Sequence, residues 1–168
     1  MITLVLGGTR SGKSAVAERL AQRSSPVVTY VATMRVGDDI ELARRIEQHR
    51  RRRPATWATI ECGEDLAGVL ANIEGTVLVD ALGAWLAAGD SAGDDARRDA
   101  LCIALRGRVG DTIVVSDEVG LGVHPSSSAG REFRDRLGLL NQAVARGADV
   151  VLLVVAGRVL SLADVDSP

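Results

Sequence analysis

Eight residues near the start of the chain, Gly7-Gly8-Thr9-Arg10-Ser11-Gly12-Lys13-Ser14, fit the pattern G-x-x-x-x-G-K-S and restrict the fold more than any other feature. Before them, Ile2-Thr3-Leu4-Val5-Leu6 is a short apolar run of the kind that forms a buried strand. After them, Ser14 to Arg23 carries Val16, Ala17, Leu20 and Ala21 at helical spacing. A strand, a glycine turn and a helix in that order make a phosphate-binding loop. Glycines allow successive backbone N–H groups to point inward around phosphate oxygens, and the helix adds its positive N-terminal end. In such a loop Lys13 reaches the β- and γ-phosphates as a point charge, and the Ser14 hydroxyl is available to Mg²⁺. Lys13 is also the only lysine among 20 basic residues, so lysine chemistry has one possible address.

Further along, short apolar runs alternate with helical patterns. Strands are expected at Val27 to Ala32, Thr76 to Asp80, Thr112 to Ser116 and Val150 to Val155. Helices are expected from about Asp38 to Arg52, Glu64 to Ile73, Leu82 to Ala88, Asp95 to Leu105 and Arg131 to Arg146. The first of these has Asp38 and Glu41 at capping spacing and a stop at Pro54. Gly89 to Asp95 reads as the loosest stretch, and Gly157 to Pro168 as a tail free to fray. Alternation of this kind predicts an α/β fold, a mostly parallel sheet covered by helices on both faces. There is no internal repeat or linker, so residues 1–168 are expected to form one domain.

Composition removes several classes of function. A net charge of −2 offers no general positive field for nucleic acid, and four aromatic residues leave few stacking platforms. Cys62 and Cys102 lack metal-ligand spacing, and no apolar run reaches the roughly 18–20 residues of a membrane span. The first residues have no basic region ahead of their apolar run, which argues against a signal peptide. A reduced, cytoplasmic protein without a transmembrane segment is the expectation.

A phosphate-binding loop usually works with an acid at the end of a neighbouring buried strand. Asp80, after Val77-Leu78-Val79, suits that metal-side role; Asp117 and Glu118, after Ile113-Val114-Val115, compete for it. Each is equally compatible with a helix cap or a solvated loop acid. His49 shares a helical face with Leu42 and Ile46, which fits a boundary histidine of the core. It is followed by Arg50-Arg51-Arg52-Arg53-Pro54. That run reads as a solvated helix end, a local nucleic-acid patch, or a triphosphate clamp, since guanidinium forks match phosphate oxygens in pairs. Beside a phosphate-binding loop, the clamp reading makes His49 a candidate nucleophile toward phosphorus.

Several segments together resemble one family. They are ITLVLGGTRSGKS, YVATM, RIEQHRRRRPATWATIEC, VLVDALGAWL, VSDEVGLGVHP, REFRDRLGLLNQ and VVLLVVAG, in this order over nearly the whole chain. RIxxHxxxRPxxWxTxE and EVGxGxxP are the more particular of them. The chain thereby resembles the bifunctional adenosylcobinamide kinase / adenosylcobinamide-phosphate guanylyltransferase family of cobalamin synthesis. The resemblance implies a RecA-like, three-layer P-loop NTPase fold and a homotrimer. It implies phosphorylation of adenosylcobinamide by ATP or GTP with Mg²⁺, then transfer of GMP from GTP to adenosylcobinamide phosphate through a guanylyl-histidine. His49 matches the family's histidine carrier. Nucleotide contacts carried over by position are Gly7, Gly8, Thr9, Arg10, Ser11, Gly12, Lys13, Ser14, Ala32, Thr33, Met34, Arg50, Arg51, Arg52, Arg53, Glu61 and Asp80, with Ser14 and Asp80 on the metal. Glu61 supplies an acceptor for guanine N1–H and its 2-amino group. His124 reads as a loop residue. The rival readings are a simple P-loop small-molecule kinase and an NTP-dependent nucleic-acid-binding ATPase that uses the arginine run.

Overall fold

The computed structural model describes residues 1–34 and 53–164. Seven strands form one sheet in the order β3-β2-β4-β5-β1-β6-β7. They are β1 (Ile2–Gly7), β2 (Val28–Ala32), β3 (Ala58–Glu61), β4 (Thr76–Asp80), β5 (Thr112–Asp117), β6 (Val150–Val155) and β7 (Arg158–Leu162). All pairings are parallel except β6 with β7. Among the described residues five α-helices connect them: α1 (Lys13–Ser24), α2 (Leu66–Ala71), α3 (Leu82–Ala88), α4 (Asp94–Gly107) and α5 (Ser128–Ala145), with a 3₁₀ turn at Ser91–Gly93.

Strand periodicity divides the core into two layers. Leu4, Leu6, Val31, Val77, Val79 and Val114 face one side, where α2, α3, α4 and α5 contribute Leu66, Leu70, Leu82, Trp85, Leu101 and Leu137. The intervening Val5, Tyr30, Leu78, Ile113 and Val115 face the other side and meet Val16, Ala17 and Ala21 of α1. Parallel strands buried on both faces explain the near-continuous apolar runs. No helix among the described residues is long and apolar enough to cross a membrane.

Two expectations change, and one strand is added to those expected. Gly157 to Pro168 does not begin as a frayed tail. Ala156 (φ 50°) and Gly157 (φ 73°) take left-handed backbone in succession, as a two-residue hairpin turn requires, and Arg158–Leu162 returns antiparallel along β6. Ala58–Glu61 is a strand as well, a short edge beside β2 whose four residues are all exposed. Gly89 to Asp95 is anchored at its far end. Asp94 accepts hydrogen bonds from Arg136 of α5, one of them at 3.2 Å to Nη2, and pairs with Arg97 at 3.4 Å. The same two guanidiniums donate to the Trp85 and Leu86 carbonyls at 3.0 and 3.4 Å, closing the C-terminal end of α3. The polar helix expected over 38–52 lies outside the described residues.

Candidate active site at the carboxyl edge of the sheet

Parallel strands place their carboxyl ends on one edge, and that edge collects the chemistry-bearing residues. Register sets Gly7 opposite Asp117, and Ala32 opposite both Asp80 and Glu61. Ligands of open α/β sheets bind at this edge because the loops leaving it surround a crevice.

The glycine turn is held from several directions. Ser11 donates its N–H to the Gly8 carbonyl at 3.2 Å, and the Lys13 N–H is directed to Ser11 Oγ at 3.3 Å. Arg10 (φ 58°) and Gly12 (φ 93°) are left-handed, a conformation that reverses the chain into α1. A side chain at Gly7 would put its Cβ 2.8 Å from the Val154 carbonyl, so only glycine lets β1 pass this close to β6. From the β6–β7 turn, Gly157 N–H donates to the Ser11 carbonyl at 2.7 Å. The structure thereby assigns the Ala156-Gly157 turn to the support of the phosphate-binding loop, a role that no motif announced.

Lys13 donates to the Gly8 carbonyl at 3.3 Å and pairs with Asp117 Oδ1 at 2.7 Å, its side chain only 12% exposed. Asn141 of α5 holds the end of β5 by donating to the Asp117 carbonyl at 3.0 Å while accepting from Ser116 Oγ at 2.6 Å. Gly83 leaves room for the Asp117 carboxylate, since a Cβ there would lie 2.6 Å from Oδ2. The two competing acids are thus separated by position. Asp117 partners the lysine, and Asp80 faces Ser14, whose hydroxyl donates to Asp80 Oδ1 at 3.3 Å.

A hydroxyl beside a carboxylate fits Mg²⁺, which favours hard oxygen donors and takes most of its remaining ligands from water and substrate phosphates. Among the described residues no group of three His, Cys, Asp or Glu side chains is placed to hold a metal ion by itself.

Tyr30 was not singled out in the sequence because it sits inside an apolar strand. Its hydroxyl donates to Asp80 Oδ2 at 3.1 Å. Burial, with the Asp80 carboxylate beside it, pushes the phenol far above its ordinary range, so it remains a donor at any working pH. The Arg53 guanidinium stacks on the Tyr30 ring at 3.4 Å from its centroid and reaches Thr59 Oγ1 at 3.3 Å.

The other expected contacts are distributed unevenly. Thr33 is buried and exchanges hydrogen bonds with Ala81, donating to its carbonyl at 2.7 Å and accepting from its N–H at 2.9 Å. It therefore pins the exit of β4. Met34 follows it and is exposed, and Glu61 is exposed at the end of β3. Glu118 ties its N–H to the Gly7 carbonyl at 3.0 Å and accepts from Gly120 N–H at 2.6 Å. His124 Nδ1 lies 2.8 Å from Arg134 Nη1. An arginine only donates, so this nitrogen is the acceptor. His49, Arg50, Arg51 and Arg52 lie outside the described residues.

Known proteins extend this geometry. A TM-score of 0.63 relates the fold to an ATPase from the type III secretion system of pathogenic bacteria, at 10% identity over 90% of this chain and 50% of that one. With its mostly parallel sheet and phosphate-binding loop, the chain has the P-loop NTPase fold. The bifunctional adenosylcobalamin biosynthesis protein CobP of Pseudomonas aeruginosa is 43% identical over 96% of this chain and 97% of its own length. The bifunctional adenosylcobalamin biosynthesis protein CobU of Salmonella typhimurium is 37% identical over 94% of this chain and 97% of its own. Residues 3–162 match the family described as cobinamide kinase / cobinamide phosphate guanyltransferase, so the β1 loop, the Asp80 edge and the β6–β7 turn all fall inside the match, and the chain belongs to that family.

Proposed function

We propose that this chain is the bifunctional enzyme that phosphorylates adenosylcobinamide and then guanylylates the product. The observation that carries the reading is the carboxyl-edge constellation of Lys13, Ser14 and Asp80 within a chain of this family. In the kinase step the hydroxyl of the aminopropanol arm attacks the γ-phosphorus of ATP or GTP. The bond to the β-phosphate oxygen breaks, the nucleoside diphosphate leaves and the hydroxyl proton is lost. Lys13 balances charge on the transferring group, and the loop amides hold the polyphosphate in line. Mg²⁺, held by Ser14 and Asp80, would supply further charge neutralisation.

In the second step an imidazole nitrogen of His49 attacks the α-phosphorus of GTP and pyrophosphate departs. A phosphate oxygen of adenosylcobinamide phosphate then attacks the same phosphorus, releasing His49 and giving adenosylcobinamide-GDP. Imidazole suits this relay because it is neutral and nucleophilic near pH 7 and leaves readily once bonded to phosphorus. Arg50, Arg51, Arg52 and Arg53 carry the charge needed to hold a triphosphate, and Glu61 supplies the guanine acceptor. Ala32, Thr33 and Met34 complete the nucleotide wall, with Thr33 acting through the Ala81 backbone. A cytoplasmic homotrimer is the expected setting.

The test is retention of label. Incubated with Mg²⁺ and GTP labelled at the α-phosphate, the denatured protein should keep label through an acid-labile, alkali-stable bond. His49→Ala should lose that label while still phosphorylating adenosylcobinamide. Undiminished label in His49→Ala would overturn the nucleophile, and absence of label in the parent chain would leave a simple kinase.

A further inference from the structure

Tyr30 contributes to this site although neither its strand setting nor its apolar neighbours mark it. The Asp80 carboxylate has two oxygens with different partners. Oδ2 accepts from the Tyr30 hydroxyl at 3.1 Å, and Oδ1 accepts from Ser14 at 3.3 Å. A carboxylate at the end of a strand can rotate about its terminal torsion, which has broad wells. A phenol donating to one oxygen removes that freedom and leaves the other turned toward the phosphate-binding loop. The phenol is itself fixed. Tyr30 is 5% exposed, packed in the layer between β2 and α1, and covered on its ring face by Arg53 at 3.4 Å. Arg53 is tied in turn to Thr59 on β3. Ser14, Asp80, Tyr30, Arg53 and Thr59 form one continuous set of contacts from α1 across β4 and β2 to the sheet edge.

We infer that Tyr30 is a positioning residue, one that sets the Asp80 carboxylate for Mg²⁺ with the Arg53 guanidinium as its clamp. This rests on the reading of Asp80 as the metal-side acid. The inference has a geometric signature: loss of the hydroxyl alone should weaken the use of Mg²⁺ without weakening the grip on the nucleotide itself. A typical net hydrogen bond is worth about three- to tenfold in an equilibrium constant.

The experiment uses a fluorescent N-methylanthraniloyl GTP and the full chain. Affinity is measured in EDTA, then across a Mg²⁺ titration, for the parent, Tyr30→Phe and Asp80→Asn. Tyr30→Phe keeps the ring, its volume and the stack with Arg53. It should raise the Mg²⁺ concentration at half-effect by about three- to tenfold, in the same direction as Asp80→Asn, with EDTA affinity within about twofold. An unshifted Mg²⁺ midpoint in Tyr30→Phe beside a shifted one in Asp80→Asn would overturn the role of Tyr30. An EDTA affinity that falls as far as the Mg²⁺-dependent one would also overturn it, since that is what simple packing loss produces. Should Asp80→Asn itself leave the Mg²⁺ dependence unchanged, the metal-side reading fails first, and the inference with it.

Discussion

Lys13 and the two acids around it show what single side chains decide here. An ammonium on a flexible stem satisfies the Gly8 carbonyl and Asp117 at once, and it can turn toward a phosphate by small rotations. A planar guanidinium in the same pocket meets those acceptors with a different, larger geometry. Lys13→Arg and Lys13→Ala are therefore both expected to lower nucleotide turnover by about 100-fold or more in a steady-state assay. Asp117 and Asp80 part company in the same assay. Asp117→Asn removes a competitor for Lys13 and should keep more turnover than Asp80→Asn. Asp80→Asn should lose most turnover. The opposite ranking would reverse the assignment of the metal-side acid. The sequence favours Asp80 but leaves Asp117 and Glu118 in competition, since each follows a buried strand of similar composition. Only strand order separates them, because β5 lies beside β1 while β4 lies one strand further out. Tyr30 was illegible for a related reason: one hydroxyl in an apolar run says nothing of which carboxylate a neighbouring strand will set against it.

Among the elements, the short α3 depends on its neighbours. Seven residues are too few to be stable alone, and its last carbonyls have no helical partners. Arg97 and Arg136 supply donors to them, and Asp94 clasps both guanidiniums from the start of α4. Asp94→Ala should cost about 1–3 kcal/mol, since it strands two half-buried cations, and lower the melting temperature by about 2–10 °C in calorimetry. A loss within 1 °C would show the clasp to be ornamental. This anchoring was hidden because Gly89 to Asp95 has no apolar periodicity, and an acid gives no sign of which distant arginine it meets. Leu82 to Ala88, by contrast, is readable to the residue, as are Thr76 to Asp80 and Val150 to Val155, and the other buried strands differ by one residue at one end. The β6–β7 hairpin escaped because Ala156 is not a usual left-handed residue, so only Gly157 hinted at a turn.

For the molecule as a whole, strand and helix alternation made the layered architecture legible, whereas the order of strands and the antiparallel edge required coordinates. Val155, Val159, Leu160 and Leu162 leave that edge with exposed apolar side chains. For the homotrimer implied by family resemblance, light scattering should give three times the 17.6 kDa of one chain; a monomer mass across the working concentration range would dismiss it. The placement of β1 carries a different consequence. Ile2 lies opposite Thr112 and Thr3 opposite Val150, so β1 is central in the sheet and takes both its neighbours from far downstream in the chain. The hydrogen bond from Gly157 to the phosphate-binding loop forms only after residue 157 has been synthesised and has cleared the exit tunnel. The phosphate-binding sequence is therefore made before the strands and the turn that hold it in shape.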